Sequence, residues 1–511
     1  MRVSGQSDDV TKAGRADGLL REPMPWPEAL AGIDPDRDVP LCVDLDGTLV
    51  KCDTLHDGLL RLLRRDRRGL LRVLVALLRD RARGKQMLAE QDAADGRRLE
   101  VQSLPWNRAV LRHLRQEKSR GRRLVLATGA DRRVAEQVAA HLGCFDEVVA
   151  SEHGRNLTGR RKLAALQQRF GRFDYVGNSG EDAVLLQAAR VAVVANPTAQ
   201  LRARMRSGRV PVAATLSERA PLRQSLPQAL RLHQWVKNLL LVVPLLLSHR
   251  AGLAQGLAAV VAFVAFGCMA SACYVWNDLL DVDSDRRHGS KRRRPFAAGE
   301  LGLPEGAMLM AALLAAAFGL CLLLPGSFAL WLCGYGVVTT VYSLGLKRVA
   351  IADVLVLAGL YTLRLFAGGA ATGTAISAWL STFAIFFFLS LALVKRMQEL
   401  ETLRQREGAV IPGRGYRVTD LELIRSLGVA AAVAALVILA LYVRDPGATT
   451  LYAHPERLWM LLPLLGFWLL RMWMLASRGL LEDDPVLFTL RDRVSVGLAA
   501  ATAVVVMAAS F

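Results

Sequence analysis

Three aspartates, Asp278, Asp281 and Asp285, close a long apolar stretch in the segment Asn277-Asp278-Leu279-Leu280-Asp281-Val282-Asp283-Ser284-Asp285. Spaced at i, i+3 and i+7, they share one face of a helix if that helix runs through. Like charges at such a place repel unless something neutralises them. Magnesium carrying a diphosphate is one solution, and a solvated acidic turn is the plainer one. A second constellation lies earlier in the chain. The apolar run Leu41–Val43 leads into Asp44-Leu45-Asp46-Gly47-Thr48, and Arg123–Ala127 leads into Thr128-Gly129. Lys162 opens a helix, and Tyr175-Val176 leads into Gly177-Asn178-Ser179-Gly180-Glu181-Asp182. Phosphoryl transfer needs a nucleophile, an acid for the leaving oxygen and positive charge around the transferring group, and these are such residue types. One such segment alone can be a turn; four in order argue against chance.

The elements that must carry these residues fall into two halves. At 511 residues the chain exceeds one ordinary domain. Up to about Arg231 it is polar, Arg-rich and patterned like an α/β protein; beyond Leu239 it is a series of apolar stretches of roughly 17–22 residues, each long enough to cross a bilayer core. The expected spans are Leu232–Leu247, Leu257–Asn277, Met308–Leu324, Phe328–Leu344, Ile351–Thr372, Trp379–Val394, Leu427–Val443, Leu458–Ala476 and Val494–Ser510. Arg286, Arg287, Lys291–Arg294, Lys347, Arg348, Lys395, Arg396 and Arg404 lie on one side, against Arg250, Arg444 and Arg457 on the other. The basic loops belong in the cytosol, which puts the N-terminal half there and the C-terminus outside.

Residues 1–39 are hydrophilic and read as a flexible leader, not a signal peptide. The seven cysteines show no CxxC pair and read as small buried residues in a reducing compartment. The net charge of +19 gathers beside membrane spans, with no nucleic-acid recognition motif. Anionic lipid headgroups explain it better than nucleic acid, which is not an expected partner.

The four strand-end segments resemble the haloacid-dehalogenase superfamily, whose fold is a doubly wound parallel sheet, with the helical insertion from Thr54 to about Val101 resembling its small cap. The resemblance implies that Asp44 forms an aspartyl-phosphate, that Asp46 acts as general acid and then base, and that Thr128 and Lys162 hold phosphate oxygens. It implies magnesium between Asp44, the backbone of Asp46 and the loop ending in Asp182. The family usually has Asp where this chain has Asn178, which lowers the charge offered to the metal.

The aspartate segment matches the NDxxDxxxD motif of UbiA-type membrane transferases, whose domain has nine membrane helices. Its continuation Asp285-Arg286-Arg287-His288 to Lys291-Arg292-Arg293-Arg294-Pro295 and Ala297-Ala298-Gly299 matches too, as does Gln234-Trp235-Val236-Lys237-Asn238. The likeness runs from about Arg231 to the C-terminus. Common members carry a second acidic motif after the sixth span; here that place holds Lys395-Arg396-Met397-Gln398-Glu399. With Tyr342, Lys347 and Asp353 around the fourth span's end and Arg364 in the fifth, this resembles the branch that moves phosphoribose from phosphoribosyl diphosphate to decaprenyl phosphate.

The expected architecture is therefore a leader (1–39), a haloacid-dehalogenase-like domain (40–215, cap about 54–101), a linker (216–230) and an all-α membrane domain (231–511). Asp278, Asp281 and Asp285 are the expected magnesium ligands of the membrane domain, and Asp44, Asp46, Asn178 and Asp182 those of the soluble one. Lys237, Asn277, Lys291, Arg294, Tyr342, Lys347, Asp353, Arg364, Lys395, Arg396 and Glu399 are the expected substrate contacts. For Arg364, interhelical hydrogen bonding stands as the alternative. The expected activity is phosphoribose transfer to a polyprenyl phosphate followed by removal of the 5-phosphate. Prenyl transfer to a small acceptor and a transporter with a regulatory domain are the alternatives.

Overall fold

The computed structural model describes residues 38–94, 100–152, 154–248, 252–405, 414–445, 451–481 and 484–511. The expected leader, apart from its last two residues, and Arg250 lie outside these. Two compact units form: one from the chain up to Ala229 together with Asp278–Gly306, the other from Leu230–Asn277 and Ala307–Phe511.

In the first unit, strands β1 (Leu41–Val43), β2 (Leu124–Asp131), β3 (Glu147–Ser151), β4 (Asp174–Gly177), β5 (Ala192–Ala195) and β6 (Ala214–Leu216) make one sheet in the order β3-β2-β1-β4-β5-β6. All pairings are parallel, with Leu41 opposite Leu124 on one side and Asp174 on the other. Such a sheet is buried on both faces, which is why β1 and β5 are unbroken apolar runs. Alternate residues serve opposite faces: Leu41, Val43, Val176 and Val193 join one core, and Cys42, Val125, Tyr175 and Val194 the other. Strand β2 outruns its expected end at Ala127, its register against β3 shifting between Ala127 and Asp131. Strand β6 reaches Leu216, one residue into the expected linker.

Between β1 and β2 stand helices α1 (Thr54–Arg65), α2 (Arg67–Arg79) and α3 (Arg81–Ala94). Asp53 accepts the first free N–H groups of α1, from Leu55 and His56, and Asp66 caps α2 through Arg68 N–H. Leu62, Val73 and Leu88 form a small core among the three. This is the expected helical cap.

Among the described residues nine helical stretches are long and apolar enough to cross a membrane, and the chain is a multi-pass membrane protein. The first differs most from expectation. It begins at Leu222 and is composite: a helix over Leu222–Leu230, a 3-10 stretch over Leu232–Leu241 and a helix over Val243–Leu247. Arg231 in the left-handed region breaks the first join, and Pro244 opens the last piece. Within the second unit Trp473 donates to Ser390 (3.0 Å), whose hydroxyl donates to the Gly428 carbonyl (2.9 Å). Such polar ties hold helices together where lipid offers no hydrophobic drive. None of the seven cysteines is in a disulfide; five are buried, but Cys144 is half-buried and Cys333 exposed, against expectation.

Candidate active sites

The carboxyl ends of β1 and β4, where the chain leaves the middle of the sheet in opposite directions, are where open α/β sheets bind ligands. Asp44 follows β1, Asn178 follows β4 and Thr128 lies in β2 beside them. Lys162, near the start of helix Gly159–Phe170, is buried and donates to Asp44 (2.9 Å), Tyr175 Oη (2.9 Å) and Asp182 (3.3 Å). Burial alone would discharge this amine; Asp44 and Asp182 outweigh it and hold its pKa above the ordinary lysine value. Burial pushes Asp44 up to about 6, with Lys162 opposing and Asp182 adding to the rise. Burial and then the charge of Asp53 push Asp46 up to about 8, while its Oδ1 accepts Thr54 N–H at 2.8 Å.

Asp182 is fully engaged. Its Oδ1 takes Tyr175 Oη (2.8 Å) and Lys162, and its Oδ2 takes the Ser179 hydroxyl (2.7 Å) and the backbone N–H of Ser179 (3.0 Å) and Asn178 (3.2 Å). Despite burial, Lys162 and these donors keep its pKa below the usual carboxylate value. The Asn178 amide lies against Gly47, which has φ +74° and where a Cβ would come within 2.0 Å of Asn178 Nδ2. With Asp182 occupied, the oxygens suited to a hard cation are those of Asp44, the Asp46 carbonyl and the Asn178 amide. That set fits magnesium with little charge to hold it.

The aspartate segment does not keep one helical face. Helix Leu253–Leu280 ends at Leu280, Asp281 takes φ −93° and ψ 7°, and a short helix over Val282–Arg287 follows. Asp278 and Asp285 are brought together by Arg294, whose Nη1 lies 3.0 Å from one and 2.7 Å from the other. Asp281 instead pairs with Arg64 at 3.6 Å. Burial raises Asp285, partly countered by Arg294. Two buried carboxylates converging on one guanidinium nitrogen fit a cation. Among the described residues no three His, Cys, Asp or Glu side chains form a ready metal cage. Lys291 is exposed on a 3-10 turn over Lys291–Arg293.

Within the second unit the expected substrate contacts fall into three groups. Lys237 and Lys395 both donate to Asp484 Oδ2, at 2.9 and 3.0 Å. Burial opposes charge on Asp484, but Lys395 and Lys237 hold it below the carboxylate range. Arg396, wholly buried, donates to Asp353 (2.7 Å) and Glu399; Arg414 donates to Asp353 (3.2 Å) and Tyr342 (3.2 Å) and pairs with Glu399 (3.4 Å). Tyr416 donates to Asp353 and accepts from Ile351 N–H (2.8 Å), where Ile351 has φ 68°, a costly conformation for a β-branched residue. Lys347 reaches Asn277 at 3.4 Å.

Arg364 stands apart. It is buried and donates to Asn238 Oδ1 (3.2 Å), the Leu360 carbonyl (2.8 Å) and Tyr335 Oη (3.0 Å), and its guanidinium lies over three aromatic rings. That is the geometry of interhelical bonding, the alternative weighed for it. Sequence reading missed Asp484, Arg414, Tyr416 and Tyr175. Asp484 sits in Glu482-Asp483-Asp484-Pro485, which reads as a helix-start turn.

The UbiA prenyltransferase family's sequence profile matches residues 239–509, and that of haloacid dehalogenase-like hydrolases matches 41–169. The uncharacterized protein y4nM of Sinorhizobium fredii is 38% identical over 466 residues, 90% of this chain and 89% of that one. Nodulation protein NoeC of Azorhizobium caulinodans is 33% identical over 270 residues, 52% of this chain and 86% of its own. The decaprenyl-phosphate phosphoribosyltransferase of Corynebacterium glutamicum is 36% identical over 214 residues, 40% of this chain and 64% of its own.

Proposed function

Because the chain belongs to the UbiA prenyltransferase family and carries a haloacid-dehalogenase-like domain, we propose that it transfers phosphoribose from phosphoribosyl diphosphate to a polyprenyl phosphate. Its N-terminal domain then removes the sugar's 5-phosphate. The observation that carries the donor assignment is the pair Lys237 and Lys395 sharing the single carboxylate of Asp484. Two amines on one carboxylate leave a surplus positive charge where common family members would have a second acidic motif. A donor and an acceptor that both bring phosphates suit that surplus. The likeness to decaprenyl-phosphate phosphoribosyltransferases supports the same reading.

In the transfer step an oxygen of the lipid phosphate attacks the anomeric carbon, and the bond from that carbon to diphosphate breaks, diphosphate leaving with the electron pair. Asp278 and Asp285, which converge on Arg294, would hold magnesium, whose positive charge would stabilise a departing diphosphate, whereas Asp281 is turned to Arg64. Arg294 and Lys291 would meet phosphate oxygens. In the second step Asp44 attacks phosphorus while Asp46 gives its proton to the departing ribose oxygen. Water, giving its proton to Asp46, then attacks the same phosphorus and breaks its bond to Asp44, freeing inorganic phosphate and the carboxylate, while Lys162 and Thr128 hold the phosphoryl oxygens. Asp46, pushed up to about 8, is suited to carrying that proton. Both steps take place on the cytoplasmic side of the cell membrane, where the basic loops lie, and one tether keeps the lipid intermediate at high local concentration.

Purified protein supplied with labelled phosphoribosyl diphosphate and polyprenyl phosphate should move label into the organic phase and release diphosphate. Productive use of an allylic prenyl diphosphate in its place would overturn the donor assignment.

A further inference from the structure

Helix α1 faces two ways. Its first residue, Thr54, donates its N–H to Asp46. Asp57, Arg61 and Arg64, at i, i+4 and i+7, form one stripe along it. Within the same compact unit that stripe meets the aspartate segment. Asp57 receives both terminal nitrogens of Arg286, at 2.6 and 3.4 Å, in a pair buried on both sides. Arg286 Nε reaches the Ala297 carbonyl at 3.2 Å. Arg64 donates to the Leu280 carbonyl at 2.9 Å, one of the acceptors a helix end leaves unsatisfied, and lies 3.6 Å from Asp281. Arg61 lies 3.8 Å from Asp283. Behind this, Lys51 pairs with Glu300 (3.4 Å), which also accepts Ala220 N–H, and Gly299, with φ +71°, packs where a Cβ would come within 2.7 Å of Lys51.

We infer that α1 is a positioning element for the aspartate segment, with Asp57 and Arg64 as its positioning residues. Arg64 fixes where the helix carrying Asp278 stops. The Asp57–Arg286 pair anchors the short helix that carries Asp285. Together they set the geometry in which Asp278 and Asp285 meet on Arg294. The phosphatase cap is thus part of the apparatus that shapes the diphosphate-binding segment, an inference that rests on the transfer reaction proposed above. A buried, bidentate arginine–carboxylate pair has the rigidity for this role.

The test uses the full chain in detergent with three variants: Asp57→Asn, Arg64→Gln, and the exchange Asp57→Arg with Arg286→Asp. Binding of magnesium diphosphate is measured by calorimetry, KM for phosphoribosyl diphosphate and kcat in the transfer assay, and turnover of an aryl phosphate as a readout of the N-terminal domain. Both single variants should weaken magnesium diphosphate binding and raise KM by about 10- to 100-fold, as loss of supporting contacts does elsewhere. Aryl phosphate turnover should stay within about threefold, and the exchange should recover much of the lost affinity. Unchanged binding and KM in both single variants would overturn the inference. So would a matching loss of aryl phosphate turnover, which would mark α1 as a general support of the fold. If wild type transfers no phosphoribose but the variants still lose magnesium diphosphate binding, the proposed reaction fails and the positioning role stands.

Discussion

Replacing Lys162 with Met removes the cation held between Asp44 and Asp182 at 2.9 and 3.3 Å. At an effective dielectric of about 20, each contact is worth about 5–6 kcal/mol before desolvation. Desolvation of the ammonium consumes much of that, and stripping one partner from a buried ion pair costs about 3–5 kcal/mol. Asp44 and Asp182 would then face each other without their shared cation, Asp182 keeping its bonds from Tyr175, Asn178 and Ser179. Asp44→Asn is gentler: Lys162 keeps Asp182 and Tyr175, and the repulsion between Asp44 and Asp182 disappears, so the expected loss is about 1 kcal/mol. Both variants should lose aryl phosphate hydrolysis, because one lacks the charge at the transferring group and the other the nucleophile. Hydrogen exchange of the β1 and β4 amides in the full chain should therefore show a large loss of protection for Lys162→Met and a small one for Asp44→Asn. Equal losses, or the reverse order, would refute the three-charge reasoning.

Asp484 has its pKa depressed in the folded protein, so its contribution to stability is complete above its unfolded value of about 3.9 and drains away as pH falls through the folded value. Asp484→Asn should flatten that acid limb and, by leaving two lysines on a neutral amide, cost about 3–5 kcal/mol at neutral pH; thermal unfolding in detergent across pH reads both. Gly47→Ala should cost about 1–2 kcal/mol from φ alone and displace Asn178 further, so aryl phosphate turnover falls while lipid transfer persists. Asp278→Ala should abolish magnesium-dependent transfer in a protein that still folds. Asp283→Asn, off the Arg294 pair and about a third exposed, should retain most of it, as parallel transfer assays will show.

The strand-end site was legible because each of its parts is a short local pattern: an apolar run, then Asp44 or Asn178 where the strand stops, and Thr128 where the apolar part of β2 gives way to its longer end. The nine spans were legible from apolar length, with the first least so because Arg231 and Pro244 divide it into pieces of different helical type. The aspartate register was misread at Asp281. Spacing alone carries a helix through that residue, whereas the helix stops at Leu280, where Arg64, far away in sequence, takes its carbonyl. Arg414, Tyr416 and Asp484 could not be found in the same way. Each is an ordinary loop residue whose importance comes from partners such as Asp353 and Lys237 on distant helices. Arg364 illustrates the converse, since a charge inside a span can be engaged by its own helix and its neighbours together.

The central claim, two successive steps in one chain, is tested most directly by the mass of the lipid product made from phosphoribosyl diphosphate and polyprenyl phosphate. Wild type should yield polyprenyl phosphoribose without its 5-phosphate, with one inorganic phosphate released per sugar transferred, and Asp44→Asn should yield the same lipid one phosphate heavier. Identical phosphorylated lipid from both proteins, or no sugar-bearing lipid from either, would contradict the account.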